Sequence, residues 1–448
     1  MTDPIKRRHP DEYREKLHTL QKMKANHLQL VKECSRLAKE NELIKKKQAK
    51  FDEIFRQMHE EIMDLKGNIR VFVRLRPVLE GISRDIPHPD DFSDIYTHFS
   101  FPDSTTRRQH IHVQHDPKVT PLCRSGEKRQ KVEKFKFDRV YTPRDKQEDV
   151  GKEVSMLVTS VINGFCVCAL AYGQTGSGKT YTMEGVIPRA VEKILKDTRE
   201  KKGWKYTVKV KFIEIYNNTI RDLLQNSSDS DSKDLRSKIL SSKEKRQNHF
   251  TVEEQSNGFT DVAEIAPLAV TTMSQFRKTM GIAASNRHVA ATSMNAHSSR
   301  SHAIYRIYVN GEDSEGKRST NGVMDLVDLA GSENIKMSGV DGAREKEAKM
   351  INLSLSTLST AIRYLSYKQQ ESKGLKISKD AIPQCPSFRN SVLTQFLKGT
   401  LSGKNCKALL IINISPEDKS IGQTLASLKF GMAASGGKVV VKEYSLKK

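Results

Sequence analysis

The sequence predicts an α/β fold in which a central, mainly parallel sheet is flanked by helices and preceded by an N-terminal coiled-coil helix. Two patterns carry this prediction. Through residues 13–66, apolar side chains recur at alternating spacings of three and four, which is typical of a coiled coil. From Gly67 to about residue 435, apolar strand-like runs alternate with helical patterns, as in folds whose helices cover both faces of a buried sheet.

The coiled-coil segment follows an irregular N-terminus, residues 1–12. It contains no Gly, and eleven of its fourteen a and d positions are apolar. His27, Asn41 and Gln48 are polar residues at a positions, and such residues can fix register and strand number. We therefore expect a parallel dimer, homomeric or heteromeric; the alternative is a single amphipathic helix packed on the next domain. The a and d positions are Leu20, Met23, His27, Leu30, Cys34, Leu37, Asn41, Ile44, Gln48, Phe51, Phe55, Met58, Ile62 and Leu65.

Strand-like runs mark the second domain, which we expect over residues 67–435. The strongest runs are residues 69–77, 208–216, 322–329 and 408–414, because their apolar and β-branched side chains are bounded by turn residues. Three stretches are polar and irregular and are expected to be surface loops: residues 84–134, 226–248 and 366–386. Residues 436–448 form a basic C-terminal tail.

Charge and composition narrow the possible partners. The formal net charge is +22 at pH 7, which favours nucleic acid, an anionic membrane or an acidic protein filament. There is no run of 18 apolar residues, and no apolar run follows the charged N-terminus, so neither a membrane span nor a signal peptide is expected. The six cysteines form no CxxC pair, which suits a reducing compartment such as the cytoplasm.

One loop has the spacing G-x-x-x-x-G-K-[ST], and it follows an apolar strand at residues 165–172. Its glycines let backbone N–H groups point inward around phosphates, and the helix that follows adds a favourable dipole. Its lysine neutralises phosphate charge and its threonine hydroxyl binds Mg²⁺. This phosphate loop consists of Gly173, Gln174, Thr175, Gly176, Ser177, Gly178, Lys179 and Thr180.

A second motif agrees with the first. Residues 323–328 form an apolar strand that ends in Asp328, and Gly331 follows. This is the arrangement in which an aspartate lies near the Mg²⁺ of a P-loop nucleotidase, where it contacts the ion through water. The two motifs together predict a P-loop NTPase that binds ATP with Mg²⁺ and hydrolyses it.

With these motifs the sequence resembles a kinesin motor domain over most of its length. The matching stretches, in family order, are AYGQTGSGKTYTMEG (171–185), FIEIYNNTIRDLL (212–224), NRHVAATSMNAHSSRSH (286–302), DLVDLAGSE (325–333), REKEAKMINLSL (344–355), FRNSVLTQFL (388–397) and SLKFG (427–431).

The resemblance implies roles for single residues. On the adenine side it implies contacts from Arg74, Arg76 and Pro77, with Tyr181 packing on the base. In switch I, the segment Asn295 to Arg300, Ser299 would reach Mg²⁺ and Ser298 would position the attacking water. In switch II, the segment Asp328 to Glu333, the Gly331 N–H would sense the γ-phosphate. Arg300 would pair with Glu333 and so couple the position of both loops to the γ-phosphate.

The family partner is the microtubule, whose acidic surface fits the net charge of +22. A coiled coil before the motor, and the junction at residues 64–72, resemble the C-terminal-motor, minus-end-directed kinesins. Leu353 and Val392 occupy positions where the family has cations, and almost no insertion separates Gly185 from Ile187. The residues expected to bind microtubules are Lys336, Arg344, Lys346 and Arg389, together with four lysines of the basic loop expected at residues 366–386, which compensate for Leu353 and Val392: Lys368, Lys373, Lys376 and Lys379.

The interpretation we favour is a dimeric, ATP-driven motor that moves to microtubule minus ends. It would act in the cytoplasm on the cytoskeleton, including the mitotic or meiotic spindle. A nucleotide-gated microtubule crosslinker that hydrolyses ATP without productive movement is the alternative. A nucleic-acid-binding ATPase is disfavoured because the chain lacks a basic stretch interleaved with aromatic residues.

Overall fold

The structure is a computed structural model of the 448-residue chain. The chain divides into two units, Met1–Leu65 and Lys66–Lys448. Within the described residues, no helix has the length and apolar run that crossing a bilayer requires. The residues described are 10–78, 96, 98–103, 105, 107–115, 129–225, 250–256, 258–292, 299–314, 316–333, 342–372, 374, 384–403, 405–436 and 440–445.

Helices and strands alternate along the second unit, as predicted. The α-helices are α1 (Pro10–Lys66), α2 (Gln147–Ile162), α3 (Lys179–Glu200), α4 (Met273–Thr292), α5 (Gly342–Ser372), α6 (Val392–Leu401) and α7 (Ile421–Ala434). The strands are β1 (Ile69–Leu75), β2 (Phe99–Ser100), β3 (His110–His115), β4 (Arg129–Lys136), β5 (Arg139–Tyr141), β6 (Cys166–Tyr172), β7 (Trp204–Tyr216), β8 (Thr219–Asp222), β9 (Glu253–Glu254), β10 (Thr260–Asp261), β11 (Leu268–Ala269), β12 (His302–Asp313), β13 (Ser319–Asp328), β14 (Cys406–Ile414) and β15 (Val440–Ser445).

The described part of the first unit is the helix α1, which has 57 residues and ends at Lys66, one residue into the second unit. It begins three residues before the expected start at residue 13. Its apolar a and d side chains are exposed within the single chain: Leu30 is 64% exposed and Phe51 is 67% exposed. At a rise of 1.5 Å per residue such a helix is about 85 Å long. Its apolar stripe is therefore available to another helix.

The main sheet of the second unit has the strand order β11-β7-β12-β13-β6-β14-β1-β5, with β8 paired to β7. The five strands from β13 to β5 are parallel to one another, whereas β11, β7 and β12 pair antiparallel. The prediction of an α/β fold is confirmed, and the parallel half carries β6 and β13. Since the carboxyl ends of parallel strands meet at one edge, Tyr172 and Asp328 end on the same side of the sheet.

Helices pack on the sheet in two groups. Helices α2 and α3 contact each other and β13, whereas α5 contacts both α6 and α7, and α6 and α7 contact β14. The core under α5 and α6 includes the buried side chains of Leu170, Leu358 and Phe396. This arrangement leaves the carboxyl edge of the parallel strands between the two groups.

A smaller antiparallel sheet has the order β15-β4-β3-β2. It lies in part within residues 84–134, which we expected to be irregular, because β3 pairs with β4 over its whole length. The C-terminal tail also contains a strand that the sequence pattern does not predict: Val440 pairs with Lys134 and Ser445 with Arg129. Short strands of this kind are formed by pairing with a neighbour rather than by a local pattern.

Two further sequence expectations are tested by α3 and α5. Helix α3 runs unbroken from Lys179 to Glu200 with Pro188 inside it, so nothing is inserted after Gly185. Helix α5 continues to Ser372, so the start of the loop expected at residues 366–386 is helical. Residues 226–248, the other expected loop, lie outside the described residues.

Near its C-terminal end, α5 contacts the start of β1. The Gln369 side-chain carbonyl accepts a hydrogen bond from the Ile69 N–H at 3.0 Å. Gly67, two residues earlier, has φ +93°, which only glycine adopts without strain. A Cβ there would lie 2.5 Å from Gln369 Nε2. The turn between α1 and β1 is therefore shaped by both residues.

Candidate nucleotide-binding site

The phosphate loop joins β6 to α3, as its sequence predicts. Gly178 caps the N-terminus of α3 with φ +93°, in the left-handed region that glycine favours. Gly173 lies so close to β14 that a Cβ would be 2.1 Å from the carbonyl oxygen of Asn413. The loop therefore requires glycine at both ends. The positive end of the dipole of α3 faces the space above it.

Lys179 lies at the first position of α3 and is only 7% exposed. Its ammonium donates a hydrogen bond to the Gln174 carbonyl at 3.0 Å. Burial lowers the pKa of Lys179, while Asp328 and Glu333 oppose the shift. A buried cation beside backbone N–H groups is an arrangement that attracts phosphate.

Thr180 and Asp328 meet at the same edge. The Thr180 hydroxyl donates a hydrogen bond to Oδ2 of Asp328 at 2.8 Å. Asp328 is 2% exposed, and among the described residues its Oδ1 has no hydrogen-bond partner. A hydroxyl and an unsatisfied buried carboxylate oxygen are hard donors of the kind that Mg²⁺ prefers. The residues present therefore fit this ion.

Arg287 is a site residue that the sequence analysis missed. It lies on α4, is buried, and its Nη1 is 3.0 Å from Oδ2 of Asp328. The residue belongs to the stretch 286–302 that resembles the family, yet no local motif marks its role. Its contact joins residues 41 positions apart, so it becomes visible only when the fold places α4 beside β13.

Switch I and switch II contact each other through the backbone. The Gly331 N–H donates a hydrogen bond to the Ser299 carbonyl at 2.8 Å. The Ser299 carbonyl occupies this donor in the present conformation, so the contact of the Gly331 N–H with a γ-phosphate stays a prediction. Ser299 lines the cleft above the phosphate loop. Ser298 and Asn295 lie outside the described residues.

The predicted pair between Arg300 and Glu333 is absent from the described part of the chain. Arg300 Nη1 lies 3.2 Å from Oε2 of Glu347, on α5. The Glu333 carboxylate instead accepts hydrogen bonds from the backbone N–H of Thr175, at 2.8 Å, and from the Thr175 hydroxyl. Arg300 and Glu333 thus each have another partner in this structure. The predicted pair would form only after these contacts are rearranged.

The residues expected on the base side lie together around a cleft of about 940 Å³. Arg74 is buried and its guanidinium lies 5.3 Å from the centre of the Tyr181 ring. Arg76 donates a hydrogen bond to the Gly176 carbonyl at 2.7 Å and also contacts Glu417. The cleft is further lined by residues that sequence reasoning missed, namely Pro143, Arg144, Asp145, Lys146, Gln147, Glu148 and Arg189.

His302 links switch II to α5. Its Nδ1 accepts a hydrogen bond from the Ala330 N–H at 3.0 Å, so Nε2 carries the proton and donates to the Ser354 hydroxyl at 2.8 Å. Burial and the nearby Arg287 and Lys179 lower the pKa of His302 to about 3. The imidazole is therefore neutral at physiological pH, as this pair of hydrogen bonds requires.

The residues expected to bind microtubules are only partly described. Lys346 on α5 and Arg389 in the turn before α6 are exposed. Lys368 is paired with Glu371 at 2.8 Å on the same helix. Arg344 lies in the first turn of α5. Lys336, Lys373, Lys376 and Lys379 lie outside the described residues.

The two departures from the family pattern differ in setting. Leu353 is 37% exposed on α5. Val392 is the first residue of α6 and packs partly against the core. An exposed leucine on α5 and a half-buried valine on α6 therefore occupy these two positions.

Comparison with known proteins agrees with this architecture. A family model described as the kinesin motor domain matches residues 101–436. Kinesin-like protein KIN-14C of Arabidopsis thaliana is 37% identical over 403 residues, which covers 87% of this chain and 44% of the plant protein. Carboxy-terminal kinesin 2 of Xenopus laevis is 37% identical over 388 residues, which covers 84% of this chain and 54% of the frog protein. The chain spans about half the length of these relatives.

Solved structures lead to the same family. One contains the C-terminal motor and motor homology domain of Kar3Vik1 fused to a synthetic heterodimeric coiled coil; its TM-score is 0.71 at 30% identity, covering 95% of this chain and 100% of that one. The motor domain of Kar3 from Saccharomyces cerevisiae has a TM-score of 0.59 at 31% identity, covering 83% of this chain and 100% of that one. The predicted resemblance, including its C-terminal-motor character, is confirmed: the chain belongs to the kinesin motor-domain family.

Proposed function

We propose that this chain is a microtubule-stimulated ATPase that uses ATP with Mg²⁺. The proposal rests on the hydrogen bond between Thr180 and Asp328, which lies beside the buried Lys179. Thr180 and Ser299 would hold the ion directly and Asp328 would hold it through water. When bound, Mg²⁺ neutralises phosphate charge and orients the phosphates.

The protein's own groups supply the rest of the chemistry. Lys179 and the N-terminus of α3 hold the phosphates, and Ser298 is proposed to position the attacking water. Glu333 and Arg300 are proposed to close the site once each has left its present partner, Thr175 or Glu347. Hydrolysis would then depend on loop closure, which is a two-state element of the kind that switches use.

ATP hydrolysis measured with and without microtubules tests this proposal. We expect a slow basal rate and a marked stimulation by microtubules. Hydrolysis that is detected only in the presence of microtubules also agrees with the proposal. No hydrolysis under either condition contradicts it. Hydrolysis stimulated by DNA or RNA instead of microtubules would favour the nucleic-acid alternative.

We further propose that two chains join through α1 and move toward microtubule minus ends. The exposed apolar stripe of α1 supports the dimer. The helix precedes the motor, and the Xenopus relative is named a carboxy-terminal kinesin; both support the direction. Gliding of polarity-marked microtubules over a coated surface tests the direction, because movement with plus ends leading identifies a minus-end motor.

The second candidate is a nucleotide-gated crosslinker that hydrolyses ATP with little or no movement. Leu353 and Val392 favour it, because each puts an apolar side chain where the family has a cation for the track. Binding that changes between ATP and ADP states, without gliding, would select this function. Either activity would place the protein on cytoplasmic microtubules, including those of a spindle.

A further inference from the structure

Gln147, the first residue of α2, connects two residues of the base-side wall. Its side-chain carbonyl accepts a hydrogen bond from Arg74 Nη1 at 2.9 Å, and its side-chain N–H donates to the Tyr181 carbonyl at 2.6 Å. A guanidinium can only donate and a carbonyl can only accept. The bridge therefore needs an acceptor and a donor on one side chain, which a carboxamide has and a carboxylate lacks.

Gly185 on α3 makes room for this bridge. A Cβ on Gly185 would lie 2.3 Å from Oε1 and 2.4 Å from Cδ of Gln147, and real Cβ atoms do not approach other atoms so closely. The position has helical geometry and is buried, so its backbone conformation does not require glycine. Glycine is required there because a larger residue would occupy the space of the Gln147 carboxamide.

The bridge holds the two residues in a defined relation. Arg74 also donates to the Thr182 hydroxyl at 3.0 Å, and its guanidinium lies 5.3 Å from the centre of the Tyr181 ring. Gln147 hydrogen-bonds to the Tyr181 backbone carbonyl and to the Arg74 guanidinium. It therefore fixes the Tyr181 ring and the guanidinium relative to each other. Among the phosphate-loop residues, none accepts or donates a hydrogen bond to Gln147 in the described structure.

We propose that Gln147 is a positioning residue for the base of the nucleotide, and that Gly185 is its required companion. This inference rests on the proposed nucleotide site and adds a separable function to it. Gln147 orders the wall that contacts the purine, whereas phosphate binding belongs to residues 173–180. Affinity for a ligand that has a base should therefore depend on Gln147, and affinity for a ligand made only of phosphate should not.

The test compares ATP with tripolyphosphate, each with Mg²⁺, in the full chain. In Gln147→Ala we expect the Kd for ATP to rise about tenfold, as follows from losing two hydrogen bonds. The inhibition constant of tripolyphosphate against ATP hydrolysis should stay within about twofold of the parent. Gly185→Ala should give the same split, because its Cβ displaces the Gln147 carboxamide.

Gln275→Ala is the matched control. Gln275 makes a similar carboxamide bridge, from Thr271 N–H to the Ala269 carbonyl, at the start of α4. It should leave both affinities unchanged. The double variant Gln147→Ala with Gly185→Ala adds a further check. Removing the carboxamide also removes the overlap, so the double variant should bind ATP no worse than Gln147→Ala alone.

The outcomes distinguish a failure of the role of Gln147 from a failure of the nucleotide site. If ATP and tripolyphosphate weaken equally in Gln147→Ala, the residue supports the phosphate loop and the inference is wrong. Unchanged ATP affinity in Gln147→Ala also overturns it, as does additive weakening in the double variant. If the parent chain binds neither ligand, the proposed nucleotide site itself fails, and the inference fails with it.

Discussion

The Glu333 carboxylate accepts a hydrogen bond from the backbone N–H of Thr175, with 2.8 Å between nitrogen and oxygen. Switch II is thereby attached to the phosphate loop, while Arg300 is attached to Glu347 on α5. The proposed pairing of Arg300 with Glu333 would require Arg300 to leave Glu347. The proposed closure would therefore depend on how firmly Glu347 holds Arg300.

The first prediction concerns the competition between Glu347 and Glu333 for Arg300. Glu347→Gln keeps the shape and still accepts a hydrogen bond from Tyr216, but it removes the charge facing Arg300. We expect the basal ATPase rate without microtubules to rise about two- to fivefold, which corresponds to a partly exposed ion pair. Glu333→Ala should instead abolish hydrolysis while ATP still binds. A basal rate in Glu347→Gln at or below the parental rate would show that Glu347 does not compete.

Thr180→Asn tests the metal site. The variant loses the hydroxyl beside Asp328, so the affinity for Mg-ATP should fall by at least about tenfold. Thr180 is exposed, and the melting temperature without nucleotide should change little. Nucleotide titration with Mg²⁺ and with EDTA measures the effect. Equal affinity of parent and variant under both conditions would refute the assignment.

The buried His302 predicts a dependence of stability on pH. Its pKa is about 3 in the folded protein and about 6.5 in an unfolded chain. The unfolded state therefore takes up a proton as pH falls below about 6.5, and the folded state does not. Between pH 7.5 and 5.5 this one group should lower the free energy of unfolding by about 1.4 kcal/mol.

The measurement is urea unfolding at both values of pH, for the parent and for His302→Asn. The variant keeps a hydrogen-bonding side chain but cannot titrate in this range. Its loss of stability on acidification should be smaller than the parental loss by that amount. Identical losses in the two proteins would mean that His302 is protonated in the folded state.

Dimerisation through α1 is tested by Leu30→Asp combined with Leu37→Asp. Both leucines are exposed in the single chain, at 64% and 45%, and burying such a side chain contributes about 1.5–3 kcal/mol. Sedimentation should show a dimer for the parent at micromolar concentration and a monomer for the variant. Lys32→Asp with Lys39→Asp, on the opposite face of the heptad, is the control and should remain dimeric. A monomeric parent would refute the homodimer and would still allow a heterodimer or a single helix.

Microtubule affinity is predicted to depend on the exposed cations of α5 and the turn before α6. Lys346→Glu with Arg389→Glu should weaken co-sedimentation at low salt by about tenfold, since each exposed contact contributes roughly 0.2–1 kcal/mol and reversal adds repulsion. The difference from the parent should shrink as salt rises. Lys196→Glu with Lys202→Glu, an equal charge reversal at two exposed positions, should have little effect. Equal weakening in this control would indicate a response to net charge alone.

Much of the nucleotide site was predictable because its residues are contiguous. The phosphate loop and Asp328 lie in short motifs whose chemistry follows from residue type and spacing. Arg287 and Gln147 were not predictable in this way, because their contacts join residues 41 and 73 positions apart. The Arg300–Glu333 pair was expected from the resemblance, and in this structure each of the two side chains has another partner. A sequence motif carries no information on which partner a charged side chain holds at a given moment.

The strands also divide into those that the sequence reveals and those that depend on tertiary contacts. The strands of the parallel half have continuous apolar runs, which a sequence reveals directly. The short strands β2 and β15 have no such run, and they exist because β3 and β4 supply partners. Pairing of this kind depends on tertiary context more than on local propensity.

Because Gln369 hydrogen-bonds to Ile69, the two ends of α5 contact different parts of the second unit. Glu347 and Ser354 attach one end to the switches, and Gln369, 22 residues after Glu347, holds the start of β1 at the other. Helical rise makes that distance about 33 Å. A tilt of roughly 10° about the switch end would displace the far end by about 6 Å, more than a hydrogen bond can stretch. A tilt of that size would therefore break the hydrogen bond that joins α5 to the start of β1.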